Sequence, residues 1–326
     1  MKIAGQRGES DLATVYIGEL EDGELIEFVE SVQPPIPQSE KWVLIVSTLK
    51  GCPVNCPICD AGISYAGKLS FGEIIGQIDH MVRTRYSDGR IPVSKFKIQF
   101  ARMGDPVFNP AVLDVLSELP FVYDAPGLLP SISTIAPRGC DDFWGKLTEV
   151  KNRLYGNGKF QMQFSIHTSS ENERRKLVPC STLSFDEMND WGEKFFSPGD
   201  RKISLNFAAV RGYPVDPAVI AHHFSPECFM IKLTPVNPTH SSRSSGLEGI
   251  IDPDHPETAD ELVNGFQNAG FDTILSIGET RENRIGSNCG MYVGRLSSNP
   301  KGKEPQKHAL QMLPREHPDR YRREQS

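Results

Sequence analysis

The chain has 326 residues, a formal net charge of −7 and a mean hydropathy of −0.36. Its 38% apolar and 24% charged residues are ordinary for a globular protein, which excludes a disordered, collagen-like or coiled-coil chain. No apolar run approaches the roughly 18 residues of a membrane span, and the first residues contain no apolar signal-peptide core. We therefore expect a cytoplasmic protein that has no membrane partner.

The first 40 residues predict a small β-rich extension. Two apolar runs, 14–20 and 25–32, flank Asp22-Gly23, and an Asp-Gly pair between such runs indicates a hairpin. The proline-rich segment 34–37 then ends this unit.

From Trp42 the sequence alternates between short apolar runs and amphipathic segments. Predicted strands cover 42–47, 96–100, 131–135, 161–166, 203–210, 229–233 and 273–277, and predicted helices cover 70–83, 110–119, 141–154, 184–196, 217–223 and 258–269. Strands that alternate with helices pair in parallel. Six or more such units favour an α/β fold of the partial (β/α)6 barrel type, with a doubly wound sheet as the alternative. Functional residues are then expected at the carboxyl ends of the strands.

This pattern divides the chain into three expected parts. Residues 1–40 form the β-rich extension, residues 41–296 the barrel, and residues 297–326 a flexible basic tail.

Three of the seven cysteines, Cys52, Cys56 and Cys59, fall within eight residues directly after the first barrel strand. Seven cysteines cannot all pair as disulfides, and three of them lie too close together for a disulfide framework. This pattern indicates metal ligation instead. Three thiolates are one ligand short of the four that zinc or a complete iron–sulfur cluster takes. Either a distant Cys or His completes a structural zinc site, or an iron–sulfur cluster keeps one iron open for substrate.

This C-x3-C-x2-C motif resembles that of the radical SAM superfamily. In those enzymes three cysteines hold a [4Fe-4S] cluster and S-adenosylmethionine (SAM) chelates the fourth iron. Six segments also occur in the order found in the RlmN/Cfr-type RNA adenine methyltransferases: 47–52, 103–106, 131–134, 164–167, 235–238 and 288–290. The resemblance implies a radical SAM barrel and an enzyme that reductively cleaves SAM to a 5′-deoxyadenosyl radical. It also implies a reductant such as flavodoxin or ferredoxin.

The resemblance further implies which residues bind the cofactor. Gly104 and Asp105 occupy the place of a Gly-Glu pair that holds the SAM amino group. Contacts with SAM are also implied for Ser133, Ser165, His167 and Asn237. Without the resemblance, Gly104 and Asp105 would be a turn with a capping Asp, and the other four would be ordinary structural residues.

Two catalytic residues are implied in the same way. The cysteine matching Cys289 is methylated by one SAM in the family, and a second SAM then converts that methyl group to a radical that adds to an adenine carbon. A buried, inert thiol is the alternative for a lone cysteine. Glu30 matches the family's proton acceptor, with Glu27 as an alternative alignment and a solvated surface residue as the simpler interpretation.

The sequence also departs from the family. Ile45 occupies the place of a second cysteine, which releases the protein–RNA crosslink as a disulfide, and Cys140, Cys180 and Cys228 could replace it. An acidic segment precedes the barrel where the family has an RNA-binding domain, and acidic charge disfavours phosphate contacts. RNA is thus a weaker expectation than SAM. The alternatives are a radical SAM enzyme acting on a small metabolite or peptide without methyl transfer, or a non-enzymatic zinc or iron–sulfur protein.

Overall fold

The computed structural model describes residues 1–278 together with Arg281, Ile285, Tyr292 and Val293. The strands are β1 (Lys2–Glu9), β2 (Ala13–Glu19), β3 (Leu25–Ser31), β4 (Lys41–Val46), β5 (Leu49–Gly51), β6 (Tyr65–Lys68), β7 (Lys95–Phe100), β8 (Leu128–Thr134), β9 (Gln161–Ser165), β10 (Ile203–Ala208), β11 (Phe229–Thr234) and β12 (Thr273–Leu275). The helices are α1 (Phe71–Arg85), α2 (Ala111–Val122), α3 (Asp141–Leu154), α4 (Glu171–Leu177), α5 (Phe185–Phe195), α6 (Pro217–His223), α7 (His240–Ser244) and α8 (Asp260–Asn268). In this part of the chain, no helix is both long enough and apolar enough to cross a membrane.

Ten strands form one sheet in the order β1-β2-β3-β4-β7-β8-β9-β10-β11-β12. The strands from β4 onward are parallel neighbours, and helices connect most of them, as expected for a partial (β/α) barrel. The predicted α/β fold is therefore confirmed.

The N-terminal hairpin is also present. Strands β2 and β3 pair antiparallel around the Asp22-Gly23 turn, as predicted. Strand β1, which the sequence did not predict, pairs with β2, and β3 pairs antiparallel with β4. The extension thus continues the barrel sheet rather than forming a separate layer. The three-part division of the chain stays a prediction, and residues 297–326 lie outside the described part.

Local sequence signals start two of the helices. At α1, the Glu73 amide donates to the Ser70 hydroxyl at 3.3 Å, and the Ser70 amide donates to the Glu73 carboxylate at 2.7 Å. The same reciprocal pair joins Ser184 and Glu187 at α5. Each reciprocal pair is a capping box, which satisfies amides that have no partner within the helix.

The strands have one apolar face and one polar face. Phe96, Ile98 and Phe100 of β7 are fully buried in the core beneath the helices, where each side chain contributes roughly 1.5–3 kcal/mol. The intervening positions Lys97 and Gln99 lie on the opposite face. Similar alternation recurs along the parallel strands, so the second face of the sheet is largely polar.

The polar face is concave. Lys41 on β4 and Lys232 on β11 are five strands apart, which would be about 24 Å in a flat sheet. The two side chains nevertheless lie close enough for the Lys41 charge to lower the pKa of Lys232, in addition to the larger effect of burial. The sheet therefore curls so that its polar face lines the interior of an incomplete barrel.

Candidate active site

The three-cysteine motif lies in a loop, residues 52–64, that is closed at its base by the ribbon of β5 and β6. Gly51 has φ +78°, and a Cβ there would lie 1.5 Å from the Ser64 carbonyl oxygen, so only glycine fits. The Cys52 amide donates to the same oxygen at 3.3 Å. We call this segment the cysteine loop; it follows the carboxyl end of β4, the first barrel strand.

Asp60 fastens the cysteine loop to the barrel. Its buried carboxylate accepts the amide hydrogens of His240 at 3.0 Å and Ser241 at 2.8 Å, in the first turn of α7. The Thr239 hydroxyl donates to the Ile58 carbonyl at 3.1 Å. The loop after the first barrel strand is thereby held by the segment that follows β11. Asp60 is not predictable from the sequence, where its only signal is its position directly after Cys59.

Burial controls the ionisation of two loop thiols. It raises the pKa of Cys52 to about 11, with backbone amides of Val54, Asp105 and Asn55 favouring the thiolate in part. Burial also raises the pKa of Cys56 to about 12, and the neighbouring Cys52 and Asp105 raise it further. Without a metal, burial therefore keeps both groups as neutral thiols, and a bound metal would have to displace their protons.

The thiols fit an iron–sulfur cluster better than a single metal ion. Zinc draws its thiolates to about 2.3 Å from one point, whereas the cysteines of a four-iron cluster each bind a different iron and stay farther apart. Among the described residues, no three Cys, His, Asp or Glu side chains converge on one point. Cys52, Cys56 and Cys59 would therefore have to move to share one zinc ion, whereas a cluster would not require them to meet at a single point.

Arg174 places a buried positive charge beside the cysteine loop. From α4 its guanidinium donates to the carbonyls of Ile135 and Ser165, both at 2.8 Å, and to the Thr182 hydroxyl at 2.7 Å. Burial lowers its pKa to about 10, and Cys56 and Asp105 are among the groups that partly restore it. A cation here would offset the negative charge of a thiolate-bound cluster. The sequence did not single out Arg174, because nothing local distinguishes it from the exposed Arg175.

Gly104 and Asp105 form a tight turn that touches the cysteine loop. Gly104 has φ +86°, and a Cβ there would meet the Leu49 side chain at 2.3 Å. The buried Asp105 carboxylate accepts hydrogen bonds from Thr134 Oγ1 (2.8 Å), the Ile135 amide (2.7 Å) and the Val107 amide (3.0 Å). Burial raises its pKa to about 6. Its oxygens thus join the turn to the end of β8, the capping role that was the alternative to a SAM contact.

The other predicted SAM contacts lie at strand ends. Ser133 is on the concave face of β8, where its hydroxyl accepts from Gln99 at 3.4 Å. Ser165 ends β9, and Asn237 is exposed after β11. All three positions therefore lie on or beside the carboxyl side of the barrel.

His167 is buried two residues beyond β9 and has φ +68°. Its Nδ1 accepts the Ala208 amide at 3.2 Å, which leaves the hydrogen on Nε2. Burial, followed by the nearby Arg174 charge, lowers its pKa to about 3. His167 is therefore a neutral donor at the carboxyl end of the barrel.

The two candidate glutamates point to opposite faces of β3. Glu30 faces α1, where its carboxylate accepts from Trp42 Nε1 at 2.9 Å and from the Tyr16 hydroxyl at 3.3 Å, and it is paired with Arg85. Glu27 is paired with Arg102 at 2.5 Å. Because the Glu30 carboxylate already has three partners, it is suited to a structural role. Its role as a proton acceptor stays a prediction.

Glu27 also binds the segment that follows Cys289. Its Oε1 accepts the amide hydrogens of Tyr292 and Val293, both at 2.7 Å. Ile285 and Tyr292 pack in one apolar cluster against strands β2 and β3, with Ile45 at its edge. Cys289 itself lies outside the described residues.

The three candidate cysteines for a second thiol lie in different parts of the barrel. Cys180 packs in the same apolar cluster as Cys52 and Cys56, and Cys140 lies close enough to Cys180 to interact with it electrostatically. Cys228 directly precedes β11, at the amino end of the barrel. Of the three candidates for a second thiol, Cys180 thus shares the small apolar cluster that contains Cys52 and Cys56.

Comparison with known proteins adds an independent observation. No family model matches the chain. A protein of Chlorobium phaeobacteroides named as a probable dual-specificity RNA methyltransferase RlmN is 25% identical over 289 residues, which cover 85% of this chain and 72% of the relative. A protein of the same name from Streptomyces coelicolor is 26% identical over 287 residues, covering 83% and 71%. The chain is a relative of the RlmN-type methyltransferases.

The fold agrees with this relationship. The solved structure of a radical SAM methyltransferase from Sphaerobacter thermophilus superposes with a TM-score of 0.69 and 16% identity, over 89% of this chain and 80% of that one. The RlmN-type relationship predicted from the sequence, and with it an enzyme of methyltransferase type, is confirmed. The role of each site residue stays a prediction.

Proposed function

We propose that this RlmN-type relative is a radical SAM enzyme that transfers a SAM-derived carbon to an adenine-type base. Cys52, Cys56 and Cys59 would hold a [4Fe-4S] cluster whose fourth iron binds SAM. The observation that carries this proposal is the buried three-thiol loop at the carboxyl end of the first barrel strand. When bound and reduced, the cluster supplies the electron that cleaves SAM.

The chain's own residues prepare the loop for such a cluster. Amides of Val54 and Asn55 favour the Cys52 thiolate, and Arg174 favours that of Cys56. Asp60 fixes the far side of the loop to α7. A site held from several sides reorganises little on binding, and its burial keeps water from the reacting groups.

Polar groups at the strand ends would bind SAM. The His167 Nε2 hydrogen and the Ser133 hydroxyl suit oxygens of the ribose or carboxylate, and Ser165 and Asn237 stand on the same side of the barrel. Asp105 would act through its backbone and Gly104, because its carboxylate is already engaged by the end of β8.

Cys289 is the proposed carrier of the transferred methyl group. Glu27 supports this role by holding the backbone at Tyr292 and Val293. A thiolate suits the task because it is the strongest side-chain nucleophile near neutral pH. Glu30 stays the proposed proton acceptor by resemblance, with Glu27 as the alternative on the concave face.

The substrate is proposed from the relatives. They are named as RNA methyltransferases. We therefore propose that this chain also acts on an adenine base, and that this base is part of an RNA. One observation favours a second function: Ile45 in place of the releasing cysteine suits a radical SAM enzyme that acts on a small molecule without methyl transfer. A flavodoxin or ferredoxin would supply the electron in either case.

The cluster is tested by anaerobic reconstitution with iron and sulfide. We expect about four irons per chain and reductive cleavage of SAM to 5′-deoxyadenosine. Cys56→Ala should lose both, whereas Cys228→Ala, at the opposite end of the barrel, should keep both. A colourless protein that holds one zinc would refute the proposal.

Methyl transfer needs a separate test. Mass spectrometry after incubation with SAM should find a methyl group on the peptide that contains Cys289. Cys289→Ala should still cleave SAM but form no methylated adenine. Normal product from that variant would exclude the proposed carrier, while SAM cleavage with no methyl adduct in the wild type would favour the second function.

A further inference from the structure

Four lysines line the barrel interior, and an arginine lies at its amino end. Lys41 and Lys95 are direct neighbours at the starts of β4 and β7, and Lys97 is two residues farther along β7. Lys232 lies on β11, and Arg201 precedes β10. The charges of the other four all lower the pKa of Lys97, after the larger effect of burial. We call this group the barrel lysine cluster.

The barrel lysine cluster has no acidic partner in the part of the chain that the structure describes. No carboxylate lies within ion-pair distance of its four lysines there. Lys232 donates to the Gln163 amide oxygen at 3.4 Å, which is a neutral acceptor. All four lysines are half-buried. Like charges with limited access to water are costly, and proteins usually pair them or give them a ligand.

A buried side-chain amide without a hydrogen-bond partner lies beside these charges. Asn206 on β10 is the register partner of Lys232 on β11. Its side chain is 8% exposed, and its Oδ1 is buried without a hydrogen-bond partner. The oxygen and nitrogen of a side-chain amide can exchange places by rotation, so Asn206 can present two N–H donors to the same space that Lys97 and Lys232 border.

We propose that the barrel interior binds a phosphate-type oxyanion between Lys97 and Lys232, with the Asn206 amide as a neutral donor. Lysine ammonium groups are common ligands of phosphate. Two ammonium groups and an amide match a doubly charged anion better than a single carboxylate, which would leave one cation unpaired. Lys41, Lys95 and the exposed Arg201 continue the positive charge toward the amino end of the barrel, and would draw an anion inward. Asn206 is also the register partner of Ser165, so this site borders the proposed SAM contacts without including the cysteine loop.

Pyrophosphate binding to the full-length protein tests this site. Titration calorimetry at pH 7, with sodium chloride matching the ionic strength, should show one anion per chain. Lys97→Met and Lys232→Met should each weaken binding at least about tenfold. Lys159→Met, at an exposed lysine, should leave it unchanged. Equal affinity in the wild type and both cluster variants would overturn the proposal, as would the absence of any binding to the wild type.

Asn206→Asp keeps the test decisive if a methionine variant does not fold. An added carboxylate beside Lys232 supplies the missing negative charge, so this variant should melt at a higher temperature in phosphate-free buffer and lose the pyrophosphate response. Retained binding would refute the site.

Parallel titrations identify the source of the phosphate and separate this site from the cofactor site. Tighter binding of AMP than of pyrophosphate, with the same dependence on Lys97, would assign the site to a phosphate ester, and the reverse order to a free anion. Stoichiometric displacement of pyrophosphate by SAM would overturn the separate site. None of these measurements depends on the iron content of the protein.

Discussion

Arg174 combines a full positive charge with almost no contact with water. Only 2% of the residue is exposed, and its guanidinium reaches backbone carbonyls at the ends of β8 and β9. One side chain thus connects two barrel strands to the loop that carries Cys56. It supports the fold and the electrostatics of the proposed cluster together.

Replacing Arg174 tests both contributions. Arg174→Gln should lower the free energy of unfolding by about 2–4 kcal/mol, because buried carbonyls lose charged donors, and reconstituted iron content should fall. Chemical denaturation and iron analysis measure the two effects. Arg175→Gln, on the exposed side of α4, is the matched control. Identical results for the two variants would show that the buried charge contributes little.

His167 gives a prediction about pH. Its folded pKa of about 3 lies below the usual 6.5, so the unfolded chain binds more protons between these values. The stability that His167 contributes is complete above pH 6.5 and is lost as the pH falls toward 3. NMR should show a neutral ring with its hydrogen on Nε2 at pH 5, and His167→Gln should have a shallower acid-unfolding curve. A charged ring at pH 5 would contradict the buried geometry.

Residue roles were only partly predictable from the sequence. The cysteine motif is local, so its spacing placed all three thiols on one loop. Glu27 and Glu30 are three positions apart and necessarily point to opposite faces of β3, but both are buried, and the sequence could not tell which face met the core. The Asp105 carboxylate caps a turn, which the sequence also allowed, and its predicted contact with SAM stays a prediction.

At the scale of elements, the contact between the cysteine loop and α7 joins the two ends of the barrel sheet. Asp60 accepts two amides from the first turn of α7, where a carboxylate also interacts favourably with the helix dipole. The loop therefore depends on a segment 180 residues away for its position.

Breaking that contact should loosen the loop. Asp60→Ala should cost about 1 kcal/mol and increase amide hydrogen exchange in both the cysteine loop and α7. The matched control is Asp190→Ala, at an exposed position of α5. If exchange rose in only one of the two segments, the coupling between them would be absent.

The helices and strands that could be predicted are those determined by residues close together in the sequence. The hairpin and the two helices that begin with capping boxes depend on neighbouring residues, and they formed as expected. Strand β1 was missed because its side chains are exposed or half-buried and show no apolar alternation; backbone pairing with β2 holds it in place. Strand β8 begins three residues earlier than predicted, since Pro130 disfavours a strand and masked the preceding leucines.

At the scale of the whole molecule, the barrel lysine cluster makes stability depend on pH. Burial, followed by neighbouring cations, lowers the pKa of Lys97 from 10.5 to about 7, so the unfolded chain binds more protons between these values. Stability in phosphate-free buffer should rise with pH across that window, by at most about 1.4 kcal/mol per pH unit. Lys97→Met should flatten the rise and Lys159→Met should not; an unchanged slope in Lys97→Met would exclude this source.

The pairing of β3 with β4 has a consequence for access. Strand β4 already has β3 on one side and β7 on the other, so β12 cannot dock against it and complete the cylinder. The backbone connectivity thus keeps a lateral slit between the first and last parallel strands. Contacts between loops, such as that of Asp60 with α7, therefore have to close this side of the barrel in place of a ladder of backbone hydrogen bonds.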